Sequence, residues 1–191
     1  MFNLFKKNFD TTLLKPIEGF LTGTWFSNPS LNIPTTLFFN INITLEDFNY
    51  KNQNQQTYIS FEFIELPIKS YNELQNNTYN FPINPENGYI DGSIYINGSH
   101  NPIDVIEISF SKTAKNFIYA HFKAIISFED NSIKQTEFEF DTKINFGDIH
   151  IDCEMLASKP IDDLQQFVKD HFNMQNFSYC TDSGIFLYNK Q

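Results

Sequence analysis

The chain has 191 residues, enough to bury a real core as one domain over 1–191, and carries a formal net charge of -10. That charge argues against nucleic acid and anionic membrane as partners, since both need Lys/Arg patches, and favours a basic one. Aromatic residues reach 17% and Phe alone numbers 22, a composition that suits strands, where flat and branched side chains pack on a pleated surface.

At the N-terminus, Phe2, Phe5 and Phe9 are spaced for one face of a short helix. This segment lacks a continuous apolar run, so a signal peptide is not expected, and no stretch is long enough for a transmembrane span. A cytoplasmic location is the corresponding expectation. Residues Ile17 to Phe26 read as a first strand interrupted by glycines. Leu37, Phe39, Ile41, Ile43 and Leu45 alternate with polar neighbours in the cleanest strand of the chain. Asn49 to Gln56 is turn-forming, and Ile59, Phe61 and Phe63 mark a third strand. Pro67 to Asn87 reads as the longest loop, with three prolines and many Asn residues.

Ile90 to Ile96 form a fourth strand closed by the turn Asn97-Gly98. Ile106, Ile108 and Phe110 mark the fifth, and Ile118 to Phe128 the sixth. Next comes an acidic stretch. Phe138, Phe140, Thr142 and Ile144 alternate with Glu137, Glu139, Asp141 and Lys143. Beyond Asn145 to Gly147 the apolar set moves to Ile149, Ile151 and Cys153, alternating with Asp148, His150, Asp152 and Glu154. The expected element is a β-hairpin turning at Gly147, apolar on one side. Asp141 would face His150, Glu139 would face Asp152 and Glu137 would face Glu154. Like charges directly opposite destabilise a sheet, so the face is either simply solvated or a site for a basic protein. Its candidate residues are Glu137, Glu139, Asp141, Asp148, His150, Asp152 and Glu154. A metal is not expected there, because flat strand carboxylates rarely wrap a cation.

The period then changes. Ile161, Leu164, Phe167 and Val168 share one face of a helix from Pro160 to Phe172, with Asp162 and Asp163 at its positive end. Gly184 to Tyr188 is a last short strand. Cys153 and Cys180 either pair or remain reduced thiols.

The expected fold is mostly β: an eight-stranded antiparallel up-and-down barrel, or a strongly curved sheet, followed by a C-terminal helix and a short strand. This order, with Gly23-Thr24-Trp25 in the first strand, resembles the lipocalins and the wider calycin superfamily. The resemblance implies that Trp25 closes one end of the barrel and that a small apolar ligand sits inside. Trp25, Phe39, Phe61, Phe63, Phe122, Phe138 and Phe140 would line it.

No nucleophile, metal set or phosphate loop is spaced for chemistry, and the histidines His100, His121, His150 and His171 are scattered. The functional expectation is therefore a non-catalytic protein without cofactor. It would capture a basic protein partner, as a toxin-neutralising immunity protein does. The alternative is a carrier of a small apolar ligand.

Overall fold

A computed structural model describes residues 7–130, 132–180 and 184–189, without the side chains of 31 and 158. Phe2 and Phe5 of the expected N-terminal helix lie outside this range. Among the described residues twelve strands run in chain order. They are β1 (Pro16–Asn28), β2 (Ile33–Leu45), β3 (Phe48–Tyr50), β4 (Gln53–Gln55), β5 (Tyr58–Glu65) and β6 (Thr78–Asn80). β7 (Asp91–Ile96), β8 (Ser99–Ala114), β9 (Phe117–Ile126) and β10 (Thr136–Ile151) follow. The chain ends with α1 (Cys153–Ser158), α2 (Ile161–His171), β11 (Phe177–Cys180) and β12 (Ile185–Tyr188).

Seven strands close into a barrel in the order β1-β2-β5-β7-β8-β9-β10, and β10 returns to pair with β1. Neighbours are antiparallel up to that seam, where β1 and β10 run parallel. The reason is arithmetic. Seven alternating strands end in the direction in which they began, so the first and last can meet only side by side and parallel. The expectation of eight antiparallel strands is corrected here. What reads as a hairpin of two strands is the single strand β10.

Gly147 explains the difference. Pairing with β1 places Phe146 opposite Leu21 and Ile149 opposite Gly23, with an irregularity between them. One extra residue is inserted, and the inward set passes from Phe138, Phe140, Thr142, Ile144 and Phe146 to Ile149 and Ile151. This is a β-bulge, which shifts the two-residue period by one without reversing the chain. A side chain at 147 would crowd the Thr22 methyl at 2.9 Å and the Leu21 carbonyl at 3.0 Å. The residue is glycine because β1 passes so close.

Aromatic rings fill the interior. Phe61 stacks on Phe122 at 5.5 Å, Phe122 on Phe140 at 4.9 Å, and Phe140 on Phe138 at 5.7 Å. One end is plugged by Tyr71, which stacks on Phe146 at 4.7 Å and meets Phe172 at 5.5 Å. Burial and the nearby Asp148 charge push the Tyr71 hydroxyl far up from its ordinary value, and the group donates to the Gly147 carbonyl at 3.1 Å. The other end is covered by Phe9, which packs on Phe128 at 4.9 Å and Tyr50 at 5.4 Å. There a Lys51–Asp130 ion pair at 3.0 Å clasps the β3–β4 turn to the segment before β10.

The Asn97-Gly98 turn forms as expected, both residues holding positive φ of 52° and 76°. α2 also forms, burying Leu164 and Val168. β6 and a 3-10 turn, Tyr71–Leu74, break up the expected loop from Pro67 to Asn87. No helix among the described residues is long and apolar enough to cross a membrane.

Candidate functional site

The residues expected to form an acidic hairpin do not meet across one. β10 pairs instead with β9, so Glu139 faces Lys123 and Asp141 faces His121. His121 Nδ1 lies 3.0 Å from Asp141 and its Nε2 lies 3.7 Å from Glu139. Lys123 reaches Glu107 of β8 at 3.4 Å, and Lys143 reaches Glu18 of β1 at 3.1 Å. The β8–β9–β10 surface thus interleaves acids with basic groups, although its six acids still outnumber its three lysines. Glu137 faces Ile125.

The other three acids of that set lie beyond the bulge. Asp148 accepts the Tyr188 N–H at 2.7 Å and so pins β12 to β10. Asp152 caps α1 by accepting the Glu154 N–H at 3.0 Å. Glu154 sits on α1, exposed, and His150 faces Thr24 of β1. Asp141 and His150, Glu139 and Asp152, and Glu137 and Glu154 are not partners, because the chain never turns between them. Cys153 and Cys180 are both free.

The residues expected to line a ligand chamber divide. Phe39, Phe61 and Phe122 are fully buried and point inward, as do Phe138 and Phe140. Trp25 is buried near the end of β1 and packs edge-on against Phe167 of α2 at 5.0 Å. Phe63 is a correction: it points outward and is 50% exposed. A second bulge is responsible. β2 pairs Phe39 with Ile64 and Ile41 with Phe61, so Glu62 and Phe63 both fall opposite Asn40 and both face out. Phe63 has φ +57°, and its N–H donates to the Asn40 side chain at 3.3 Å. That left-handed backbone costs a non-glycine residue about 1–2 kcal/mol.

The strain presents an aromatic cluster on the outside of the barrel. Phe63 lies 5.7 Å from Phe38 and 6.4 Å from Phe26, edge to face. With Thr22, Thr24, Asn40, Asn42, Glu62 and Asp152 these rings line a hollow of about 420 Å³. A second hollow of about 550 Å³ adjoins it through Asn42, bounded by Phe20, Thr44, Asp47, Gln56 and Tyr58.

The electrostatics of this outer face differ from those of β8–β9–β10. All 13 basic residues of the chain are lysines, and none lies in β1, β2, β5 or β7. Glu62 of β5 sits directly opposite Asp91 of β7, both exposed. No ion pair among the described residues neutralises either of them. A like-charge pair of the kind expected in the hairpin exists after all, on the opposite side of the barrel.

Phe20, Asn42, Tyr58, Glu62 and Asp91 are absent from the sequence-derived site. A readable signal was present: four neighbouring strands without one lysine. What the residues alone did not reveal was that those strands adjoin. Among the described residues no group of His, Cys, Asp and Glu is gathered to hold a metal ion. Compared with models of protein families, with curated proteins and with solved structures, the chain matches none.

Proposed function

We propose that this is a non-catalytic binding protein that captures a basic protein through the outer face of β1, β2, β5 and β7. The observation that carries the reading is the Glu62–Asp91 pair, without an ion-pair partner among the described residues, on strands that contribute no lysine. Like charges opposite each other cost the free protein stability, by tenths of a kcal/mol. A cationic partner would turn that cost into attraction and would be steered by the net charge of -10. The outward rings Phe20, Phe26, Tyr58 and Phe63 supply apolar contact of the sort that dominates binding energy. Neutralisation of a basic toxin is one form such capture would take.

The test is a pull-down from the native host, read by mass spectrometry. Glu62→Lys with Asp91→Lys should lose the partner. Glu137→Lys with Glu139→Lys should keep it, because those acids lie on β10, away from the β5–β7 pair. The opposite pattern would overturn the assignment of the face.

A second reading, a lipocalin-like carrier of an apolar ligand, is supported by one observation. The Thr142 hydroxyl is buried inside the barrel without a hydrogen-bond partner among the described residues. The close stacking of Phe61, Phe122 and Phe140 weighs against it.

A further inference from the structure

The larger hollow on the same face has a definite chemistry. Its floor is Asn42 and Thr44 of β2. Its walls come from the strands on either side. Phe20 pairs with Asn42 from β1, and Tyr58 pairs with Thr44 from β5. Two strand spacings and a two-residue stagger along β2 set the wall residues diagonally, about 12 Å apart at the backbone, with room between them for a flat group. Both rings are partly open to solvent, 37% exposed for Phe20 and 56% for Tyr58.

At the end of this slot stands Asp47. Its Oδ2 accepts from Gln56 Nε2 at 2.8 Å and from Asn54 Nδ2 at 3.4 Å. Those amides hold the carboxylate from one side, and no hydrogen bond among the described residues reaches its Oδ1. The lining contains no cation.

We propose that the hollow between Phe20 and Tyr58 receives an arginine side chain of the basic partner. A planar guanidinium stacks on aromatic faces and donates in a fork that matches a carboxylate. A lysine ammonium is a compact, strongly hydrated charge that uses the slot less well. A neutral sugar would use the rings and amides and could donate hydroxyls to Asp47, but it brings no charge to match the carboxylate. The inference rests on the functional reading above and deepens it by naming the group recognised.

The experiment titrates the full-length protein with acetyl-(Gly-Arg)3-amide and follows side-chain amide and aromatic resonances by NMR. The Asn42 and Gln56 amides and the Tyr58 ring should shift. The citrulline peptide, flat but uncharged, should bind at least tenfold more weakly, and the lysine peptide several-fold more weakly. Asp47→Asn, an exposed and conservative change, should cost the arginine peptide at least fivefold. Equal binding of the citrulline or lysine peptide overturns the assignment. So do shifts confined to another surface, or the same resonances answering only to a neutral hexasaccharide. The two proposals fail separately. Partner capture that survives Glu62→Lys with Asp91→Lys removes the functional reading. Capture lost in that variant, with no arginine-specific shift at the slot, removes only this inference.

Discussion

Replacing Asp91 with lysine should stabilise the protein while weakening its hold on the partner. Asp91 and Glu62 are directly opposed on β7 and β5, exposed, and without a neutralising cation. Opposed like charges are unfavourable by tenths of a kcal/mol, and an opposed unlike pair is favourable by about 0.2–1 kcal/mol. The swing from one to the other is then about 0.5–1.5 kcal/mol. For a domain of this size each kcal/mol moves Tm by about 2–4 °C, so the variant should melt about 1–6 °C higher. The gain should be largest at low salt and should shrink in about 1 M NaCl, where the screening length falls to about 3 Å. Differential scanning calorimetry at the two salt concentrations, paired with partner pull-down, makes the measurement. A lower Tm, or a gain that ignores salt, would show that the two carboxylates do not repel, and the case for a cationic partner at this face would go with it.

Three other changes probe the frame. Gly147→Ala should cost about 1–3 kcal/mol in urea unfolding, because the added methyl meets Thr22 and the Leu21 carbonyl; a loss below about 0.5 kcal/mol would refute the tight seam. Thr142→Val should raise stability by about 1 kcal/mol, the cost of burying an unpaired hydroxyl, whereas a drop in Tm would show that the hydroxyl is not unpaired and would remove the one observation behind the carrier reading. Asp130 is held far below its ordinary value of 3.8, first by the Ser132 hydroxyl and N–H and then by the Lys51 ammonium. A depressed carboxyl contributes stability that is complete above its unfolded value and fades as pH falls toward the folded one. The Tm gap between wild type and Asp130→Asn should therefore be full near pH 6 and close progressively from about pH 5 to pH 2. A gap unchanged over that range would count against the clasp.

Most of the barrel strands are legible as period-two alternation, with cores close to those observed. β2 keeps Phe39, Ile41 and Ile43 inward, and β9 keeps Ile118, Ala120, Phe122 and Ala124. The failures trace to single residues. At Gly147 the apolar set changes parity, and a turn and a bulge produce the same change in a linear string. Only the spatial neighbour, β1 at about 3 Å, decides between them. Reading that one glycine as a turn makes eight strands of seven and an antiparallel closure of a parallel one. Phe63 is the same error on a smaller scale. A bulge opposite Asn40 reverses its direction, and nothing local to Ser60-Phe61-Glu62-Phe63 announces it. The site moved for a further reason. Alternation says which residues face out, but not which strands stand side by side; that β9 and not a hairpin partner faces Glu139 and Asp141 is therefore illegible in the sequence.

The seam between β1 and β10 has a bearing on how the molecule is made. Its register joins Gly19 to Ile144, residues from opposite parts of the chain. Such distant pairing is slow, since the entropy of closing so long a loop is lost before any contact is gained. While the polypeptide is being synthesised, β1 waits with one backbone edge open until β10 emerges. An open edge of that length is a template for other chains. The carboxylates of β10, before His121 and the Tyr188 N–H engage them, would keep the late-arriving strand dispersed until it docks.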